Sequence, residues 1–151
     1  TAKHQPSWFA AEMASSQTTW KVVFGHHPYI SNGKHGNAGN YERIDWFASL
    51  LSVPAGVAIK DFFDNHICHK ADIYLSGHDH NRQWLQPTCG TEFIVSGAAA
   101  KTSALSSTIN QTRFEDDSMV GFIWIQIENN CLNGEFYDKT GSLNFSHTVC
   151  K

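Results

Sequence analysis

The sequence predicts a layered α/β sandwich, two mixed sheets faced by helices in a single domain. Two apolar runs, residues 21–24 and 73–76, read as buried strands separated by helical-period sequence. Beyond Asn81 a series of short alternating runs linked by turn residues reads as antiparallel or mixed sheet. Strands joined through helices imply a parallel pair with a right-handed crossover.

Taken in order, residues 6–16 read as a helix, with Pro6 suited to its first turn and Trp8, Phe9 and Met13 supplying apolar contacts. After the first strand, residues 29–40 hold three glycines and read as a loop over a site. Residues 41–51 place Ile44, Phe47, Leu50 and Leu51 at helical spacing. Val53-Pro54-Ala55-Gly56 breaks that helix, and 57–67 begins another before the strand at 73–76. Residues 83–86, 92–96, 119–128, 132–137 and 143–149 read as strands, whereas 98–117, polar and rich in Ser and Thr, reads as a long loop. No internal repeat and no domain boundary is visible.

The 151 residues are 41% hydrophobic, with five Trp and ten Phe, enough apolar matter for one domain that buries about 68–70% of its unfolded surface. The net charge is −3 and no run of Lys or Arg offers nucleic acid the basic face it needs. No apolar stretch reaches the roughly 18–20 residues of a membrane-spanning helix; the longest, 120–127, has strand length.

Chemistry concentrates in three short motifs. Gly25-His26-His27-Pro28 and Gly77-His78-Asp79-His80-Asn81 each follow an apolar strand, and Ser31-Asn32-Gly33-Lys34-His35-Gly36 lies between them. Imidazoles are thus delivered at strand ends, where open α/β sheets carry their sites. Two residues apart on an extended segment, His78 and His80 point the same way about 6–7 Å apart, so each reaches a different ion of a pair about 3.5–4 Å apart. Asp79 then points away and suits orienting a ligand through a hydrogen bond. His27 alternates away from His26 and is expected to pack or to line the rim. A lone His-x-His is a weak signal in a chain with nine histidines, and Gly-His-His-Pro by itself could be a turn with a buried imidazole. The conjunction of all three motifs favours a metal centre. Neutral imidazole suits zinc, iron and manganese.

These motifs resemble those in the C-terminal half of the calcineurin-like metallophosphoesterases, in particular the small purple, or tartrate-resistant, acid phosphatases, from Gln5-Pro6-Ser7-Trp8 to Ser96-Gly97-Ala98. The resemblance implies half of a four-layer α/β/β/α sandwich and hydrolysis of phosphate monoesters at acid pH. It implies two metal ions, a ferric ion plus a divalent Fe, Zn or Mn. Carried over by position, His26 and His78 correspond to ligands of the divalent ion and His80 to a ligand of the ferric ion. His35 corresponds to the histidine that contacts substrate phosphate and assists the leaving group. The family's upstream Asp-rich motifs do not occur in residues 1–151, and three imidazoles do not complete two ions. The chain therefore reads as half an active site, its N-terminal half expected as a second chain or a missing segment. The family carries a protease-sensitive loop before the helix at 6–16, so a nicked two-chain enzyme is the expected form. Substrates would be phosphorylated small molecules or phosphoproteins. A phosphodiesterase or nucleotide hydrolase with the same metals, or an inactive metal-binding module of the same fold, are the alternatives.

Four cysteines, without Cys-x-x-Cys, point to disulfides in an oxidising compartment, against the alternative of four free thiols in a cytosolic chain. The expected location is secreted, lysosomal, vacuolar or periplasmic. A hairpin turned at residues 138–143, with Lys139 facing Ser142, puts Cys131 opposite Cys150; Cys68 and Cys89 then pair by elimination. Four cysteines allow three pairings, which sequence does not decide between. Asn110-Gln111-Thr112 and Asn144-Phe145-Ser146 match the N-glycosylation pattern, which carries meaning only in a secretory protein.

Overall fold

A computed structural model describes residues 4–41 and 56–151. The helix expected at 41–51 lies outside these residues except for Tyr41. Helix α1 (Gln5–Ser15) precedes β1 (Val22–Phe24), and α2 (Val57–Phe62) runs on into a π-helical turn, Phe63–Ile67. The strands β2 (Ile73–Ser76), β3 (Arg82–Leu85), β4 (Glu92–Ser96) and β5 (Thr112–Asp116) follow. The chain then forms β6 (Gly121–Glu128), β7 (Cys131–Asp138) and β8 (Leu143–Cys150).

The five-stranded sheet has the order β1-β2-β4-β3-β5 and is mixed: β1, β2 and β4 are parallel, and β3 is antiparallel to β4 and β5. The meander β6-β7-β8 forms a second, antiparallel sheet. Side chains alternate across the first sheet and so feed two cores. Tyr74, Phe93, Val95 and Leu85 face the helices, where Phe63 and Ile67 join them with Phe9, Met13, Ile59 and Phe62 at the margin. Ile73, Ile94 and Trp84 face the second sheet and meet Leu132 and Phe136. Three layers result, helices on sheet on sheet. Of the apolar trio anticipated in α1, Phe9 and Met13 pack inward but Trp8 is 59% exposed.

Residues 98–117 are not wholly a loop, because β5 lies within them. Its hydrophobicity is low, and what makes it a strand is charge pairing. Arg113 meets Glu92 at 3.4 Å, and Asp116 pairs with Arg82, a guanidinium 1% exposed that also donates to the Tyr137 carbonyl at 3.0 Å. Phe114 stacks on Phe136 and Phe145, which anchors this edge strand over the second core.

Cys131 and Cys150 are cross-strand partners and are bridged, and Cys68 is bridged to Cys89. The hairpin's tip differs from the simple two-residue loop. A register shift between Phe136 and Tyr137 lets Asp138, rather than Lys139, meet Ser142, with the Asp138 N–H donating to the Ser142 carbonyl at 3.1 Å. The Asp138 carboxylate also accepts from the Thr140 and Ser142 amides, which holds the turn.

Candidate metal centre

Strands β1 and β2 are in register, Phe24 beside Leu75, so the segments that leave them emerge side by side. The Gly25 amide donates to the Leu75 carbonyl and the Gly77 amide to the His26 carbonyl, carrying the pairing one step beyond the strands. This juxtaposition brings His26 and His78 together, with His78 Nδ1 3.0 Å from His26 Nε2.

His27 belongs to the same group. The chain bends at 26–27 instead of staying extended, so strict alternation fails and the His27 ring lies 4.5 Å from that of His78. The ligand nitrogens of His26, His27 and His78 all lie within 4.8 Å of one another. The three are gathered closely enough to be candidate ligands of one ion, small ring movements bringing them to the about 2.0–2.1 Å of a metal–imidazole bond. The group also suits a metal electrostatically. Burial holds His78 down to about 4, with further contributions from His35, His27 and His26. Burial and the neighbouring His26 and His35 likewise lower His27. Ligation needs neutral imidazole, and crowding already favours that form.

The segment 77–81 is not extended either. The Asp79 amide donates to the Gly77 carbonyl at 2.8 Å and the Asn81 amide to the Asp79 carbonyl at 2.9 Å, giving successive three-residue turns centred on His78 and His80. His78 adopts φ 65°, a left-handed conformation costly for a residue with a Cβ and concentrated at functional sites. His80 consequently stands outside the trio. Its backbone carbonyl accepts from the Ser103 amide, and burial, then Lys101, Lys34 and His35, lower its affinity for a proton. Among the described residues no second group of three such donors is present.

Asp79 is fully buried and turned onto the loop that carries His35. Its carboxylate accepts from Ser31 Oγ and from the His35 backbone N–H at 3.1 Å. What it orients is therefore this loop. Ser31 in turn accepts from Gln83 Nε2 at 3.0 Å and from the Gly33 amide at 2.9 Å. The centre of the His35 ring lies 4.2 Å from that of His78, beside the trio.

Two tyrosines that the sequence did not mark hold the first motif in place. Tyr74 Oη donates to the His27 carbonyl at 3.0 Å, and Tyr41 Oη donates to the Pro28 carbonyl. Burial pushes Tyr74 up to about 12 and raises Tyr41 as well, so both remain donors at any ordinary pH. Tyr74 could have been suspected from its place in the strand before the second motif; nothing local singles out Tyr41, Ser31 or Gln83. Of the remaining histidines, His147 packs edge-on against Trp84 at 5.2 Å and His66 against Phe62 at 5.0 Å, structural positions away from the trio.

No family model matches the chain. It is 28% identical over 134 residues to tartrate-resistant acid phosphatase type 5 of Sus scrofa, a match covering 83% of this chain and 34% of that protein. In structure it is similar to GAP50, described as the anchor in the inner membrane complex of Plasmodium, with TM-score 0.68 and 19% identity over 98% of this chain and 41% of that one. It is also similar to purple acid phosphatase PPD1 of yellow lupin, Lupinus luteus, with TM-score 0.64 and 19% identity over 97% of this chain and 28% of that one. The chain thus spans about a third of the length of the mammalian relative it matches. From the strand-end histidines, the layered sheets and these similarities together, the chain is a relative of the purple, tartrate-resistant acid phosphatases and shares part of their metallophosphoesterase fold.

Proposed function

We propose that this chain supplies part of a dinuclear metal centre that hydrolyses phosphate monoesters in acid. The observation that carries the reading is the convergence of His26, His27 and His78 at the ends of two paired strands. His26 and His78 are assigned to one ion, joined by His27, and His80 to the other, with carboxylate ligands contributed by a segment upstream of this chain. When bound, the ions polarise the phosphoryl oxygens and ionise a water. The chain's own residues do the rest. His35, its backbone tied to Asp79, presents an imidazole beside His78 and in its protonated form donates to the phosphate or to the departing oxygen. Asp79 and Ser31 fix that loop through the Ser31 hydroxyl and the His35 and Gly33 amides. The two disulfides favour an oxidising compartment, whether secreted, lysosomal, vacuolar or periplasmic.

The test is metal content and turnover of p-nitrophenyl phosphate by the protein in its native form. We expect two ions per molecule, iron among them, and a loss of bound metal together with activity in His26→Ala and His78→Ala. Comparison with bis(p-nitrophenyl) phosphate separates monoesterase from diesterase action. Protein that holds no metal and hydrolyses neither ester after loading with iron and zinc would overturn the reading. One observation favours a second reading: His80 stands apart from the trio, as in a module of this fold that binds a single ion without catalysis. A stoichiometry of one ion with no turnover would select it.

A further inference from the structure

Strand β3 leaves the second histidine motif directly. Along it Arg82 and Trp84 turn toward the second sheet, so Gln83 and Leu85 turn toward the helices. Gln83 is completely buried there, between Leu85 on its own strand and its cross-strand partner Val95, both members of the apolar core. A carboxamide taken out of water costs free energy unless its donors and acceptor are met. The groups that meet them come from both histidine-bearing segments. Gln83 Oε1 accepts from the Asn32 backbone N–H at 2.8 Å, and Nε2 donates to Ser31 Oγ at 3.0 Å and to Asn81 Oδ1 at 2.7 Å. One side chain thus joins the loop that carries His35 to the end of the turn that carries His78 and His80.

These bonds also fix a proton. Ser31 Oγ receives hydrogens from Gln83 Nε2 and from the Gly33 amide, so its own hydrogen is left to point at Asp79, whose carboxylate accepts it. The same carboxylate accepts from the His35 N–H at 3.1 Å. On the other side, Asn81 is fully buried and its carbonyl accepts from the Gly97 amide at 3.0 Å, which anchors it beyond the end of β4. Gln83 therefore stands at the junction of two chains of hydrogen bonds. One runs through Ser31 and Asp79 to the His35 backbone, the other through Asn81 to the 77–81 turn. A buried network satisfied in this way holds a single geometry.

Resting on the phosphoesterase reading above, we propose that Gln83 is a positioning residue for the reaction. It sets the place of His35 against His78 by directing the Ser31 proton to Asp79 and by clamping both segments to β3. It acts through these neighbours, holding no ion and transferring no proton itself.

The experiment compares the native protein with Gln83→Met, Gln83→Glu and Ser31→Ala by turnover of p-nitrophenyl phosphate, bound metal, and exchange of the Gly33 and His35 backbone amides. Methionine keeps the length and loses all three bonds. Glutamate keeps the shape and the acceptor but replaces the donor with a second acceptor, which draws the Ser31 hydrogen away from Asp79. We expect kcat to fall about 10–100-fold in both Gln83 variants, with KM within about threefold and metal content unchanged. The Gly33 and His35 amides should exchange about tenfold faster while those of β4 stay as in the native protein. Gln83→Met combined with Ser31→Ala should cost about what Gln83→Met costs alone, because both act along one chain of bonds. Val95→Ala, which opens a cavity beside Gln83 without touching its partners, should lower the urea midpoint and leave kcat within about twofold. Unchanged kcat in both Gln83 variants, an equal loss in Val95→Ala, or additive losses in the double variant overturns the proposal. If Gln83→Met does not fold, Gln83→Glu and Ser31→Ala carry the comparison. If the native protein hydrolyses no ester, the phosphoesterase reading has failed by itself, and amide exchange alone decides: faster exchange at Gly33 and His35 supports the clamp, and unchanged exchange overturns it.

Discussion

Gly33 is packed so closely on Asp79 that a Cβ there would lie 2.2 Å from the carboxylate carbon. The carboxylate cannot step aside, because Ser31 and the His35 amide hold it. Gly33→Ala should therefore destabilise the protein by about 1–3 kcal/mol, read as a lowered urea midpoint; an unchanged midpoint would show that the loop yields freely. Asp79→Asn keeps the volume but sets an amide beside two donors, and should cost activity roughly 10–100-fold while metal content changes little. The lowered affinity of His78 for protons makes a signed prediction. Its ordinary value is about 6.5 and its folded value about 4, so the unfolded chain takes up the proton first as pH falls. In metal-free protein its contribution to stability is full above about 6.5, declines between 6.5 and 4, and is level below 4. Denaturation of the metal-free protein across this window checks the sign, and His78→Ala should flatten the slope.

At the scale of elements, the hairpin β7-β8 is stapled by Cys131–Cys150 across a separation of 19 residues. Replacing both cysteines with serine should cost about 3 kcal/mol of unfolding free energy, seen in urea titrations under non-reducing conditions. The contact between the two sheets depends on Trp84, which is fully buried and donates through its indole N–H to Glu92 at 2.8 Å. Gly134 on β7 leaves the space it fills, since a Cβ there would meet the ring at 2.5 Å. Trp84→Ala should cost about 3–5 kcal/mol in the same assay. The strands β2, β4, β6 and β7 were legible because apolar residues alternate or run together in them. The strand β5 was not, because its stability comes from Arg82, Glu92 and Phe136, which pair with Asp116, Arg113 and Phe114 from distant parts of the chain.

Across the whole molecule, strand β1 is an edge of its sheet among the described residues, paired with β2, and Phe24 on it is 81% exposed. An open, apolar strand edge invites pairing with further chain. The 151-residue chain alone should accordingly self-associate, and Phe24→Lys should shift it toward monomer in light scattering; a monomeric parent would argue that the edge is already blunted. The sequence by itself determined the layered α/β plan and the strand-end placement of His26 and His78, and its hairpin register set Cys131 opposite Cys150, because periodicity, chain order and hairpin register are local properties; that this pair is the one bridged is a finding of the structure. Tertiary structure decided that His27 joins the trio while His80 turns out of it, since both depend on bends that an extended reading cannot contain. It also decided that Asp79 serves the His35 loop and that Asn32 is tied to Asn110 and Glu115. Those contacts join residues 44 to 83 positions apart, and only the packing of the sheet brings them within hydrogen-bonding distance.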